Sequence, residues 1–137
     1  MSVRPELAVL IRQWVQKAEN DFLNAQHTML MEESCPYDTV CFHCQQCVEK
    51  HLKAILVLNQ TPFQKTHDLE QLRLLMPETI SLPVTVAELA RLSPHATNSR
   101  YPDDWRSPER QEAEWALGVA ARVRTAVREY LAAAGLA

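Results

Sequence analysis

Residues 41–58, CFHCQQCVEKHLKAILVL, form the stretch that decides the fold class. Successive residues of an α-helix are about 100° apart, so positions three or four apart share a face. With this spacing one arc collects apolar side chains, two thiols and an imidazole: Val40, Cys44, Cys47, Val48, His51 and Ile55. The pattern predicts an amphipathic helix with small thiols on its buried side.

Length and composition place this helix in a single all-α domain, residues 1–137. The chain has 137 residues with 47% hydrophobic content, which is enough for one buried core. Its two glycines argue against a sheet-rich fold, because tight turns need residues that adopt positive φ easily. A net charge of -3 gives no general attraction to nucleic acid or anionic lipid. With no apolar run of membrane-spanning length and no uninterrupted signal-peptide core, we expect a soluble cytoplasmic protein.

The cysteine spacing Cys41-x-x-Cys44-x-x-Cys47 superficially resembles an iron–sulfur motif, and His43 and His51 lie nearby. A straight helix cannot wrap four ligands around one ion, so we predict reduced, buried thiols and no metal site. Nothing in the sequence predicts a cofactor.

Helix signals divide the chain into three long and two short helices. The long helices are predicted at roughly 5–31, at 37–59, and from 107–109 to near Gly135. One short helix follows Thr66 as a predicted N-cap and ends at 76–77, and the other opens with a Thr85 and Glu88 capping box. Short links make this an up-and-down bundle in which the first two helices pack antiparallel.

Several motifs in this order resemble the HEPN (higher eukaryotes and prokaryotes nucleotide-binding) domain. They are Glu19, Asp21 and Phe22 in the first helix, residues 41–54, His67-Asp68-Leu69, and Arg100-Tyr101-Pro102. The resemblance implies a bundle of four or five helices that commonly forms a homodimer. It also implies frequent pairing with a minimal nucleotidyltransferase in a system resembling toxin and antitoxin.

Ribonuclease members of this family carry an arginine followed, after four to six residues, by a histidine. Here Arg91 precedes His95 by only three intervening residues, and Arg100 has no histidine after it. Metal-independent RNA cleavage needs a base for the 2′-hydroxyl and a cation for the transition state, roles that His95 and Arg91 could fill. Alternatively, His95 serves as a cap or loop residue beside a solvated Arg91.

A nucleotide site is the other hypothesis for the polar residues. Gln46, Glu49, Lys50 and Lys53 share one side of the second helix, with Glu49 and Lys53 spaced as an ion pair. Lys50, Lys53 and Arg100 would donate to phosphate, and Tyr101 would stack on a base. The alternatives are an ordinary solvated helix face, and a structural role for Tyr101 in packing and turn formation.

His67 and Asp68 admit two interpretations, a catalytic dyad or a helix start in which Asp68 favours the N-terminus and His67 bonds a neighbouring helix. We favour the helix start. Trp115, Val119 and Ala126 form an apolar strip on the last helix that requires cover from the bundle, a second copy or a partner.

Together these features favour a HEPN-like nucleotide- or partner-binding subunit of a two-component system with a minimal nucleotidyltransferase. The alternatives are a metal-independent ribonuclease with a degenerate Arg/His motif, and a purely structural interaction module.

Overall fold

The computed structural model describes residues 3–97 and 107–136, and this part of the chain contains helices and no strand. Helix α1 spans Pro5–Met29, α2 spans Tyr37–Leu58, α3 spans Leu69–Leu75, α4 spans Val86–Leu92 and α5 spans Arg110–Ala133. A short 3₁₀ helix, Ser93–Ala96, follows α4 directly. The predicted all-α class, with three long and two short α-helices, is confirmed.

Local signals start the helices close to the predicted positions. Pro5 occupies the first turn of α1, and the capping box of Thr85 and Glu88 opens α4 with both reciprocal hydrogen bonds present. The N-cap of α3 is Asp68 rather than the predicted Thr66, because the Asp68 carboxylate accepts from two backbone N–H groups of the first turn. Thr66 supports this cap, since its hydroxyl accepts from the Asp68 N–H.

Helices α2 and α5 end with the same hydrogen-bond pattern but with different residues. At the end of α5, Gly135 has φ 85, and the Leu136 N–H reaches back to the Leu131 carbonyl. At the end of α2, Gln60 has φ 54 and the Thr61 N–H bonds the Leu56 carbonyl. Both follow the Schellman pattern, in which a left-handed residue closes the last turn. Only α5 uses glycine for it.

Helix α2 lies at the centre of the bundle and packs against both α1 and α5. Arg4 bonds Gln60 at one end of the α1–α2 pair, and the Cys35 thiol bonds the Thr28 carbonyl at the other, so the two helices run antiparallel as predicted. Thirteen residues of α2 are buried, among them the thiols of Cys41, Cys44 and Cys47. Cys44 and Cys47 are buried as predicted, Cys41 is buried as well, and none of the three lies in a disulfide.

The apolar strip on α5 is covered in part by the chain itself. Val119 is fully buried, whereas Trp115 and Ala126 are half-buried. Exposed large apolar side chains occur instead on α1 and on the short helices, with Leu23, Leu74 and Val86 each more than half exposed. Among the described helices, none has the length and apolar content to cross a membrane.

Candidate functional site

A buried carboxylate on α2 organises the first group of candidate residues, which we call the Glu49 network: Gln45, Gln46, Glu49, Lys53 and His67. Lys53 Nζ lies 2.9 Å from Glu49 Oε2, the i,i+4 pair predicted from the sequence, with side-chain exposures of 8% and 4%. His67 Nδ1 lies 2.7 Å from Glu49 Oε1. A carboxylate only accepts, so His67 donates through Nδ1.

Two glutamines complete the shell around Glu49. Gln45 donates to Glu49 Oε1 at 3.3 Å and to the His67 carbonyl at 2.9 Å, while Gln46 donates to the Gln45 amide oxygen at 2.7 Å. The fully buried Gln45 thus ties α2 to the segment that leads into α3. The network is enclosed at Lys53 and reaches solvent at His67, whose side chain is 52% exposed.

Two aromatic rings cover the Lys53 ammonium. Its Nζ lies 5.5 Å from the Trp14 ring centroid and 5.8 Å from that of Phe63, within cation–π range. Trp14 comes from α1 and Phe63 from the link between α2 and α3, and the two rings meet edge to face at 6.2 Å. Lys53 therefore joins three segments of the chain.

The Asp21 cluster, comprising Asp21, His43 and Lys50, lies on another side of α2. Lys50 Nζ is 2.6 Å from Asp21 Oδ2, and His43 Nδ1 is 2.7 Å from Asp21 Oδ1. A carboxylate only accepts, so His43 donates to Asp21 through Nδ1, and its Nε2 edge faces away from Asp21. His43 and Lys50 are 22% and 21% exposed, so this cluster borders solvent.

The candidate nuclease residues Arg91 and His95 lie in different environments. The Arg91 guanidinium is 3.8 Å above the Trp115 ring and 2.6 Å from a Glu112 oxygen, and its side chain is 52% exposed. His95 lies in the 3₁₀ helix with only 4% exposure, and burial lowers its pKa from the ordinary value. Arg91 is therefore both half exposed and held against α5 by an ion pair and a ring contact.

Known proteins share this helical arrangement. The family model described as HEPN domain matches residues 11–130, nearly the whole chain. The chain belongs to the HEPN family. Among solved structures, TT1696 from Thermus thermophilus is 26% identical, with a TM-score of 0.75, over 87% of this chain and 96% of its own. ST0689, an archaeal HEPN homologue, is 24% identical with a TM-score of 0.66, over 88% and 96% respectively, and shows the shared fold. No curated protein matches the sequence.

The HEPN fold separates the predicted nucleotide-binding lysines. Lys50 belongs to the Asp21 cluster and Lys53 to the Glu49 network, each neutralised by its own carboxylate. Glu49 and Lys53 are buried, so an ordinary solvated helix face describes neither residue. The predicted Arg100 and Tyr101 lie outside the described residues.

His67 and Asp68 have separate roles in this HEPN chain. Asp68 caps α3, accepting from the N–H groups of Glu70 and Gln71, while His67 bonds Glu49 of the neighbouring helix. Both contacts agree with the helix-start interpretation.

Glu19, a motif residue of α1, meets α5 through contacts that the sequence did not predict. Arg124 Nε lies 2.8 and 2.9 Å from the two Glu19 oxygens, and Arg128 Nη1 lies 3.6 Å from one of them. Arg124 also stacks on Phe22, at 4.9 Å. These partners are more than one hundred positions apart in sequence, so no local spacing could have indicated the pairing.

His51 is the buried imidazole between these helices. Its Nδ1 donates to the Cys47 carbonyl at 2.9 Å, so in the neutral ring Nε2 carries a lone pair. Nε2 is buried without a hydrogen-bond partner in the described structure and lies 3.8 Å from a Glu19 oxygen. Burial lowers the pKa of His51 from 6.5 to about 4, against the smaller opposing effects of the Cys47 carbonyl and Glu19.

The three buried thiols of α2 are chemically unreactive. Burial raises the pKa of Cys41 to about 12, and burial raises the pKa of Cys44 and Cys47 further. Thiolate is the form that attacks electrophiles and ligates metals, so these thiols are inert in the folded state. Within residues 3–97 and 107–136, no three ligating side chains come together in a metal-binding group.

Proposed function

We propose that this HEPN chain is the nucleotide- or partner-binding subunit of a two-component, toxin–antitoxin-like system with a minimal nucleotidyltransferase, and acts as a cytoplasmic homodimer. The burial of His95 supports a binding role over RNA cleavage. A general base must come within about 3 Å of the group whose proton it removes, and His95, at 4% exposure, has little surface from which to approach a 2′-hydroxyl.

Of the two described residues of the predicted nucleotide site, Lys50 in the Asp21 cluster borders solvent, whereas Lys53 is buried. Lys50 and His43 present two donors on one carboxylate, a short distance from solvent. Lys50 can donate to a phosphate or an acidic partner group while it stays paired with Asp21, because an ammonium carries three donors and this side chain is 21% exposed. Arg100 and Tyr101 belong to the same proposed site.

Lys53 is better suited to hold the site than to contact a ligand. Its ammonium lies under Trp14 and Phe63 and is paired with Glu49. We assign it the role of fixing the α2–α3 link, from which His67 reaches the surface.

The test combines binding and cleavage on one preparation. Calorimetry with nucleoside triphosphates, and copurification with a minimal nucleotidyltransferase from the same genome, should reveal at least one ligand whose affinity falls about tenfold or more in Lys50→Ala. Lys65→Ala, which changes an exposed loop lysine, is the matched control. Light scattering should show a dimer.

Structured, labelled RNA incubated with the same protein should stay intact. Cleavage that disappears in His95→Ala would establish the ribonuclease alternative and overturn the proposal. Absence of both nucleotide and nucleotidyltransferase binding would overturn it in favour of a purely structural module.

A further inference from the structure

A groove lies between α1 and α5, away from the Glu49 network and the Asp21 cluster. It has a volume of about 620 Å³, and its lining includes Ile11, Arg12, Val15, Arg128, Leu131 and Leu136. We call it the α1–α5 groove. Small-molecule sites typically enclose about 300–1,000 Å³ with apolar walls and a few polar groups, so its size and lining suit a small ligand.

The arginines at the groove are not fully paired within the chain. Arg12 has no ion pair or hydrogen bond among the described residues. Arg128 is 55% exposed and lies 3.6 Å from Glu19, whose carboxylate is already held by Arg124 at 2.8 Å. The single negative charge of Glu19 is thus shared by two arginines.

One further carboxylate, Glu129, lies in the same lining. Within the lining, Arg12 and Arg128 balance Glu19 and Glu129 in number. Arg124, which lies outside the lining, already holds Glu19, so Arg12 and Arg128 face one carboxylate, Glu129, that no arginine pairs among the described residues. An anionic group therefore complements the groove, and arginine pairs favourably with carboxylate or phosphate oxygens.

Arg12 lies at the junction of two hollows. A neighbouring hollow of about 360 Å³ shares Arg12 and Leu136 with the groove. An anion at Arg12 would therefore have an apolar wall beside it. None of the described side chains lining the groove is aromatic, which disfavours a stacked nucleobase and favours an aliphatic body.

We propose that the α1–α5 groove binds a small amphipathic anion, with its anionic group at Arg12 and Arg128. Its aliphatic body packs along Val15, Ala132 and Leu136, above a floor formed by the buried Ile11 and Leu131. This site is independent of the proposed nucleotide site, because α2 supplies none of its lining.

Calorimetric titration with decanoate at pH 7.5 tests the site, with hexanoate, octanoate and neutral 1-decanol as comparison ligands. Decanoate should bind once per chain, and each CH₂ that becomes fully buried should tighten binding by roughly fourfold. Arg12→Gln and Arg128→Gln should each weaken decanoate at least fivefold. Arg110→Gln, an exposed arginine at the other end of α5, should leave it unchanged.

Steric closure of the groove provides a second test. Ala132 is an exposed residue of the lining, so Ala132→Trp should block decanoate while leaving the unfolding midpoint near that of the parent chain. Absence of saturable binding would overturn the proposal, as would equal affinity for 1-decanol or insensitivity to the arginine variants. A dimer that dissociates in Ala132→Trp would identify the groove as a contact between copies and would also overturn it.

Discussion

Acid should destabilise this HEPN domain through His51, the buried imidazole between α2 and α5. Its pKa is about 4 in the folded chain, against 6.5 for an unperturbed histidine. Between these values the unfolded chain binds a proton that the folded chain does not, so the free energy of unfolding rises with pH in this window. The contribution is complete above pH 6.5 and lost as pH falls towards 4.

The size of the effect follows from the two pKa values. The interval from 6.5 to about 4, at about 1.36 kcal/mol for each pKa unit, corresponds to about 3 kcal/mol in total. About 2 kcal/mol of this is lost by pH 5, where an unfolded histidine is almost fully protonated. His51 has no exposed surface, so solvent does not screen this contribution.

Urea unfolding of the parent chain and of His51→Leu at pH 7.5, 6.5, 5.5 and 5.0 measures this contribution. At pH 7.5 the leucine variant should lie within about 1 kcal/mol of the parent, because a buried acceptor without a partner is replaced by an apolar group of similar size. At pH 5 the parent should have lost about 2 kcal/mol more than the variant. His95 also has a lowered pKa, but it is present in both proteins and cancels in the difference.

The groups around His51 define what would refute this reasoning. Glu19 favours the imidazolium, whereas Arg124 and Arg128 disfavour it, and burial outweighs them all. His27→Gln, an exposed histidine near the end of α1, should keep the acid sensitivity of the parent. Equal pH dependence in the parent and His51→Leu would show that the pKa of His51 is the same in the folded and the unfolded chain, and would refute this reasoning.

Three further predictions concern the backbone, the buried pair and the thiols. Gln60→Gly should raise the urea unfolding free energy by about 1 kcal/mol, because φ 54 strains an L-residue; a decrease would show that the Gln60 side chain matters more. Glu49→Leu should lower that free energy by about 3 kcal/mol and leave the Lys53 ammonium unpaired, while the double variant Glu49→Leu/Lys53→Leu should recover most of the loss. Additive effects in this double-mutant cycle would contradict the pairing. Of the four thiols, Ellman's reagent should modify only Cys35 in the folded protein and all four in denaturant; reaction of a second thiol before unfolding would contradict the burial.

Helix positions could be predicted from the sequence because their signals are local. Pro5, Gly135 and the Thr85 and Glu88 capping box each act within one or two turns, and each lies where its residue type predicted. The N-cap of α3 lies two residues after the predicted one, because Thr66 and Asp68 can both accept from backbone N–H groups. The structure uses both, the hydroxyl for the turn and the carboxylate for the helix.

The Glu49 network was harder to predict because its burial depends on contacts distant in sequence. Spacing alone predicted the Glu49 and Lys53 pair, but a charged pair on a helix is usually solvated. Here Trp14 arrives from α1 and Phe63 from the link after α2, and together they enclose the ammonium. No periodicity within α2 contains that information.

The two carboxylates of α1 explain why the proposed sites can be tested separately. Glu19 and Asp21 are two residues apart, about 200° around the helix, so Asp21 meets α2 while Glu19 meets α5. Lys50 is neutralised on the first side, whereas Arg12 and Arg128 leave positive charge on the second. Lys50→Ala should therefore weaken nucleotide or partner binding without changing decanoate affinity, and Arg128→Gln should do the reverse. A variant that weakens both ligands equally would show a single site, or a loss of fold that circular dichroism would detect.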